Sequence, residues 1–348
     1  MTRDTAPVGI EVEAVATWMT EHVGTVAPLT FTRLAGGHSN LTYRVTDATG
    51  RDLVLRRPPM GELLPTAHDM GREYKIIHAL QDTPVPVAES LGFCEGPEVT
   101  GAHFYVMGYV EGVVMHAASI AETAYDEAQR RTAGESFIDV LAALHAVDPD
   151  AVGLGDLGRK EGYLARQLKR WGGQFEASKT QERPDMDEVT AWLKAHTPEQ
   201  GPARVVHGDY RLGNCLTAPD GSVLAVLDWE IATLGDPLAD VGYVLATWPE
   251  PGERTPAAGG SVAPSTLPGF PSRTELISRY EAASGTDLSG IDYYTAFSAW
   301  KSAAIAEGVY ARYLAGQLST EGIDLTMWPL AVTAYVDMAA NAITRLEA

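Results

Sequence analysis

In the run His207-Gly208-Asp209-Tyr210-Arg211-Leu212-Gly213-Asn214 a carboxylate is followed five positions later by an amide, and a second carboxylate, Asp228, comes 14 residues after the amide. Moving the γ-phosphate of ATP to a hydroxyl needs little covalent chemistry. It needs a carboxylate to orient or deprotonate the acceptor, oxygen ligands for Mg2+, and a cation near the phosphates. Asp209 has the type and place for the first task as general base or hydroxyl orienter, and Asn214 and Asp228 for the second as metal ligands. Each motif follows an apolar β-like run, 203–206 and 223–227, so each sits at a strand end from which side chains can project. A metallohydrolase built on His207, Asp209 and Asp228 would lack a second His placed with them. His207 reads as a brace for the loop, and Asp236 and Asp240 as residues that hold the loop and cap the next helix.

The elements that must position these groups fall into two patterns. Residues 10–22 read as a short helix, and 29–34, 41–46 and 53–57 as short strands joined by Gly-containing connections, which predicts an antiparallel meander. A helix over 67–80 follows, with Met70, Tyr74, Ile77 and Leu80 as its apolar stripe and Glu73 beside it; Pro84 and Pro86 stop it. Two more strands are expected at 85–94 and 103–109. Beyond Glu122 the spacing of Phe137, Val140, Leu141 and Leu144 is helical, and further helices are predicted at 161–177, 185–196, 293–316 and 325–346. His145 and the aromatic residues Tyr293, Tyr294, Trp300 and Tyr310 read as packing groups. Ser272 and Glu275 have capping-box spacing. The stretch 249–271 holds six prolines and few apolar anchors, and is expected to be a flexible insertion. The expectation is an α+β chain: residues 1–110 a small antiparallel sheet lobe with one inserted helix, and 111–348 a mainly helical lobe.

Composition narrows the partners. Lys and Arg total 26 against 46 Asp and Glu, a formal charge of −20. That field repels nucleic-acid phosphates and anionic lipid, so neither is expected as a partner. It would draw a cationic substrate such as an amino sugar, and it is equally the composition of a proteome that uses acidity for solubility. Residues 1–15 carry Asp4, Glu11 and Glu13 where a secretory signal would need an apolar core, no run reaches membrane-spanning length, and Cys94 and Cys215 are far apart. A cytoplasmic location is the expectation. Oligomeric state is not legible.

His207-Gly208-Asp209 with Asn214, then Asp228-Trp229-Glu230, then Gly235-Asp236-Pro237-Leu238-Ala239-Asp240 together resemble the aminoglycoside phosphotransferase and choline kinase superfamily. The resemblance implies a bilobal protein-kinase-like fold with ATP and Mg2+ as cofactors. Leu53-Val54-Leu55-Arg56-Arg57-Pro58-Pro59, Arg72-Glu73-Tyr74 and 293–312 look like one branch in particular, which includes the kinase-like domains fused to some acyl-CoA dehydrogenases and is associated with phosphorylating hydroxyacyl-CoA.

Carried over position by position, the resemblance places Arg56 where the family usually has a phosphate-binding Lys, with Glu73 as its helix partner. A guanidinium binds phosphate in a fork, so nucleotide contact there departs from the family's pattern. Arg57 points to the opposite strand face if alternation holds. Gly37 and Ser39, in Gly36-Gly37-His38-Ser39-Asn40, take the place of the nucleotide-covering loop, although a Gly-Gly pair between strands is also an ordinary hairpin turn. Met107, Tyr109 and Val110 fall where the family's hinge meets adenine. A peptide kinase is disfavoured, because His-Arg-Asp, Asp-Phe-Gly and Ala-Pro-Glu are absent. Three functions stay open: a metabolic kinase for a small-molecule hydroxyl such as that of a hydroxyacyl-CoA-type metabolite, an aminoglycoside or other antibiotic kinase, and a non-catalytic nucleotide-binding regulator. A basic cluster at the acceptor pocket would suit CoA phosphates, an acidic one an amino sugar.

Overall fold

The computed structural model describes residues 7–34, 40–61, 69–253 and 261–348. The chain forms two compact units, one of Met1–Glu111 together with Ala225–Glu230 and one of Gly112–Leu224 together with Ile231–Ala348.

The first unit runs α1 (Val12–Val23), β1 (Thr30–Arg33), β2 (Leu41–Thr46), β3 (Asp52–Arg57), α2 (Met70–Leu80), β4 (Ser90–Cys94) and β5 (Phe104–Gly108). Its five strands are ordered β1-β2-β3-β5-β4, and every neighbouring pair is antiparallel. In β2 burial alternates, with Leu41, Tyr43 and Val45 inward, as a half-covered strand requires. The central strand β3 is covered more completely: Leu53, Val54, Leu55 and Arg57 are all buried. A core of Val15, Met19, Tyr43, Leu53, Leu55, Phe104 and Val106 joins α1 to the sheet. Gly24 ends α1 in the left-handed region at φ 74°, where a Cβ would be strained. Two boundaries differ from expectation. Residues 85–89 are not strand, because Pro86 has no N–H for a ladder, and its carbonyl instead accepts the Val226 N–H at 2.9 Å. The described helix α2 begins at Met70, with the Asp69 carboxylate capping the Arg72 N–H at 3.0 Å.

The second unit carries α3 (Ala118–Ala124), α4 (Glu127–Ala146), α5 (Tyr163–Ser178), α6 (Pro184–Ala195), β6 (Arg204–Val206), β7 (Cys215–Thr217), the start of β8 (Val223–Val226), β9 (Thr233–Gly235), α7 (Leu238–Ala246), α8 (Arg273–Ser284), α9 (Ile291–Leu314) and α10 (Met327–Glu347). Strands β6 and β9 pair antiparallel, a short ladder from whose end the 207–214 loop departs. Reciprocal capping boxes open α4 (Asp126, Gln129) and α8 (Ser272, Glu275). The long helix α9 is buried from Ile291 through Trp300 on nearly every side and packs against α7, α5 and α10. In the Pro-rich stretch, Ser265 is buried and donates to the Pro249 carbonyl at 2.8 Å, and the Trp248 indole donates to the Pro271 carbonyl at 2.9 Å. Both cysteines are free and buried. Among the described residues no helix is long and apolar enough to cross a membrane.

Candidate active site

In the first unit, alternation along β3 sends its two arginines to different tasks. The buried Arg57 braces the fold, donating to the Thr100 carbonyl at 3.0 Å and to the Gly9 carbonyl. Arg56 faces α2 and the 225–230 segment: its Nε lies 3.1 Å from Glu73 Oε2 and its Nη2 3.1 Å from Asp228 Oδ1. Neither Arg56 nor Glu73 is an exposed surface charge, since Glu73 is only 1% exposed. Glu73 also receives the Tyr105 hydroxyl at 2.9 Å and the Asn40 amide at 3.3 Å. Burial opposes the Arg56 charge, but Tyr105, Glu73 and Asp228 outweigh it and hold the guanidinium protonated. Asp228 adopts φ 65°, the one non-glycine residue with positive φ among those described. That backbone state costs about 1–2 kcal/mol and persists where the surroundings over-determine it. Here Trp229, wholly buried, anchors the turn through its indole N–H to the Val226 carbonyl at 3.1 Å.

Burial pushes the Glu73 carboxyl up to about 7, with Arg56 and Tyr105 pulling against it. The folded state therefore binds this proton more tightly than the unfolded chain does, and the sign follows: Glu73 favours folding below its ordinary value near 4.5 and loses that contribution as pH rises toward 7. Wild-type Tm is expected to fall between pH 5 and pH 7.5 by several degrees more than that of Glu73→Gln, which cannot ionise. Parallel thermal-melt curves for the two proteins would rule this out.

In the second unit the loop after β6 is built around a buried carboxylate on α7. Asp240 Oδ2 accepts the His207 N–H at 2.7 Å and Oδ1 the Gly208 N–H at 2.8 Å, while His145 Nε2 stands 3.4 Å away. Gly208 has φ 85°, and a Cβ there would lie 3.2 Å from the Ile231 side chain, so the bend needs glycine. The buried His207 accepts the Asp209 N–H on Nδ1 at 3.3 Å, and Tyr210, stacked on Phe137, donates to the Phe137 carbonyl at 2.8 Å. The loop is thereby fixed on both sides of Asp209.

The Asp209 carboxylate is held by three donors: Tyr243 Oη to Oδ1 at 2.5 Å, Asn214 Nδ2 to Oδ2 at 2.8 Å, and Arg211 Nε to Oδ2 at 3.2 Å. Asn214 Nδ2 also bonds the Asp209 carbonyl at 2.8 Å, which leaves its Oδ1 as the metal-competent atom. Beside Asp209 opens a cavity of about 530 Å³, walled by Trp171, Tyr243, Lys301, Ile305, Trp328 and Tyr335, with Arg170 also at its edge. Among the described residues its charged lining is two cations, Arg170 and Lys301, and one anion, Asp209.

The structure thus gathers Arg56, Glu73 and Asp228 in one unit and Asp209 and Asn214 in the other. Met107 lies within β5 opposite Val54 and Ser90, and Tyr109, just past that strand, lies under the Arg44 guanidinium at 4.5 Å, followed by the half-buried Val110. Gly37 and Ser39 lie outside the described residues. Tyr105, Tyr243, Arg211 and Lys301 escaped sequence reasoning. Tyr243 sits three positions after Asp240 on α7, hence on the same helix face, and Lys301 is the single charge between Asp292 and Glu307 on α9; these were the available signals. Among the described residues no three of His, Cys, Asp or Glu cluster as a metal cage. Asp228 in one unit and Asn214 in the other each offer a hard oxygen atom of the kind Mg2+ takes, an ion that uses few protein ligands and completes its shell with water and phosphate.

A two-unit α+β chain of this topology, with a carboxylate-bearing loop after β6, defines a kinase-like phosphotransferase fold. A model of the phosphotransferase enzyme family matches residues 30–276, and the chain belongs to that family. Acyl-CoA dehydrogenase family member 10 of Mus musculus is 37% identical over 295 residues, which cover 84% of this chain and 27% of that protein. The chain spans between 27% and 44% of the length of the first three curated relatives it matches. A crystal structure from Ralstonia eutropha, provisionally described as an aminoglycoside phosphotransferase, is 33% identical with a TM-score of 0.79 over 97% of this chain and 98% of that one. Choline kinase from Cryptosporidium parvum, 10% identical with a TM-score of 0.64 over 96% and 97% of the two chains, shares the fold.

Proposed function

We propose that the protein transfers the γ-phosphate of ATP to the hydroxyl of a small, largely apolar acceptor of the hydroxyacyl type, with Asp209 as the group that orients the hydroxyl and takes its proton. The observation that carries this reading is the Asp209 carboxylate, fixed by three donors at the edge of an aromatic and aliphatic cavity. The unit containing Arg56 would cover the nucleotide, its guanidinium serving as phosphate clamp and Glu73 holding it in place, with backbone groups at Met107, Tyr109 and Val110 against adenine and Gly37 and Ser39 against phosphate. Asp228 and Asn214 would hold Mg2+, which, when bound, neutralises charge on the phosphates. Everything else falls to this chain: Tyr243 and Asn214 aim the Asp209 oxygens, and the aromatic and aliphatic wall offers the acceptor an apolar surface.

The charge of the cavity supports an acceptor without cationic groups. Despite a net charge of −20, the chain places two cations and one anion around this space, which disfavours a polyammonium sugar. Arg56 keeps both of its carboxylate partners, so the arginine is compatible with a working phosphate site and offers no particular support for a non-catalytic regulator.

The test is a mass-spectrometric transfer screen with ATP or GTP and Mg2+ against hydroxyacyl thioesters, aminoglycosides, macrolides and amino alcohols, with Asp209→Asn as blank. Phosphorylation of the hydroxyacyl compounds is expected, and phosphorylation confined to an amino sugar would reject the acceptor class. Within that reaction, Tyr243→Phe removes one charge-assisted hydrogen bond from Asp209 and is expected to lower kcat by about 10–100-fold with little change in nucleotide KM. An unchanged kcat in steady-state assays would remove Tyr243 from the machinery.

A further inference from the structure

Lys301 lines the same cavity as Asp209. Among the described residues its one hydrogen bond is a long one, Nζ to the Gly208 carbonyl at 3.4 Å, although an ammonium has three donors. Its other close neighbours are aromatic faces, Trp171 with Nζ 5.6 Å from the ring centre and Tyr243 at 6.0 Å. Burial pushes its pKa down, Asp240 and Asp209 push it back up, and Arg170 adds to the lowering. A half-buried cation with one long hydrogen bond gains more from a ligand oxygen than one already fully hydrated. One helical turn further along α9, Ile305 lines the same cavity, and the half-exposed Ile231 sits at its edge beside Gly208.

We propose that Lys301 is the residue that selects the acceptor: its ammonium receives a carbonyl or carboxylate oxygen of the ligand while the ligand's hydroxyl meets Asp209. The ligand so defined is a hydroxy acid or a thioester or ester of one, its hydrocarbon body lying against Trp171, Ile305 and Tyr335. An alcohol of the same skeleton without the carbonyl leaves the ammonium unpaired, and an ammonium-bearing sugar meets repulsion from Lys301 and Arg170. The inference rests on the reading of Asp209 as the hydroxyl-binding group.

Equilibrium binding without nucleotide, on the full chain, separates the possibilities. The probes are a medium-chain hydroxyacyl pantetheine thioester and the matched alcohol that lacks the carbonyl, read by titration calorimetry. The wild-type protein is expected to prefer the thioester by about 10–100-fold, the range for a hydrogen bond to a charged group. Lys301→Met is expected to abolish the preference and Lys301→Arg to retain part of it. If Lys301→Met does not fold, Lys301→Gln, which keeps one donor for Gly208, reads the same ratio. A lysine that merely braces the Gly208 carbonyl would leave the ratio intact, and that result, or equal binding of both probes by the wild type, overturns the proposal. Phosphate transfer to the thioester, assayed in parallel, keeps the two readings apart: a preference without transfer refutes the role of Asp209 alone, and transfer without a preference refutes the role of Lys301 alone.

Discussion

Asp209→Asn is expected to lower kcat by about 10²–10⁴-fold, the usual contribution of a positioned proton acceptor, while nucleotide affinity stays near the wild-type value. The substitution keeps the shape and removes the charge. An asparagine oxygen can still accept from Tyr243, but its NH2 then faces two donors, Asn214 Nδ2 and Arg211 Nε, where the wild-type carboxylate accepts from both. The variant therefore loses the proton acceptor and also the geometry of its neighbours. Single-turnover kinetics with the best acceptor of the screen measure the first effect, and a fluorescent-nucleotide titration the second. An equal loss in nucleotide binding would mean that the residue holds the fold instead of the acceptor.

Asp240→Ala is expected to destabilise the protein by about 3–5 kcal/mol, as when one member of a buried charged network is removed. Asp240 is 0% exposed and satisfies two backbone donors at the start of the 207–214 loop, with His145 against the same carboxylate. Burial works against its charge, yet the hydrogen bonds from His145 and the Gly208 N–H hold its pKa below the usual aspartate value. By linkage, that stabilisation is present above the ordinary aspartate value and is lost as pH falls below it through the lower folded value. Truncation leaves the His207 and Gly208 N–H groups buried without their acceptor. Urea unfolding at neutral pH checks this, and a loss below about 1 kcal/mol would contradict the role given to the network.

The strands β1, β2 and β3 were legible because alternation, short Gly-containing turns and β-branched residues all point the same way. The capping box at Ser272 and Glu275 was legible for a similar reason, since its signal is local. The 85–94 run failed because apolar character persisted through Pro86, a residue that cannot donate to a ladder. Asp209, Asn214 and Asp228 could be read as candidates from spacing along one loop and one strand end. Tyr243, Tyr105 and Lys301 could not, because each reaches its partner from a distant element: α7 and α9 bring Tyr243 and Lys301 to the 207–214 loop, and β5 brings Tyr105 to Glu73. Helical periodicity marks the buried face of α9 but is silent on which buried position faces a cavity.

The central claim is that Asp209 directs the γ-phosphate of ATP to a hydroxyl on a largely apolar acceptor without cationic groups. The most direct measurement incubates the protein with γ-labelled ATP, Mg2+ and a medium-chain hydroxyacyl thioester, and locates the label by tandem mass spectrometry, with Asp209→Asn in parallel. Label on the acceptor hydroxyl with the wild type, and at least a hundredfold less with Asp209→Asn, about the lower bound for a lost general base, is the expected result. Equal labelling by the two proteins would contradict it.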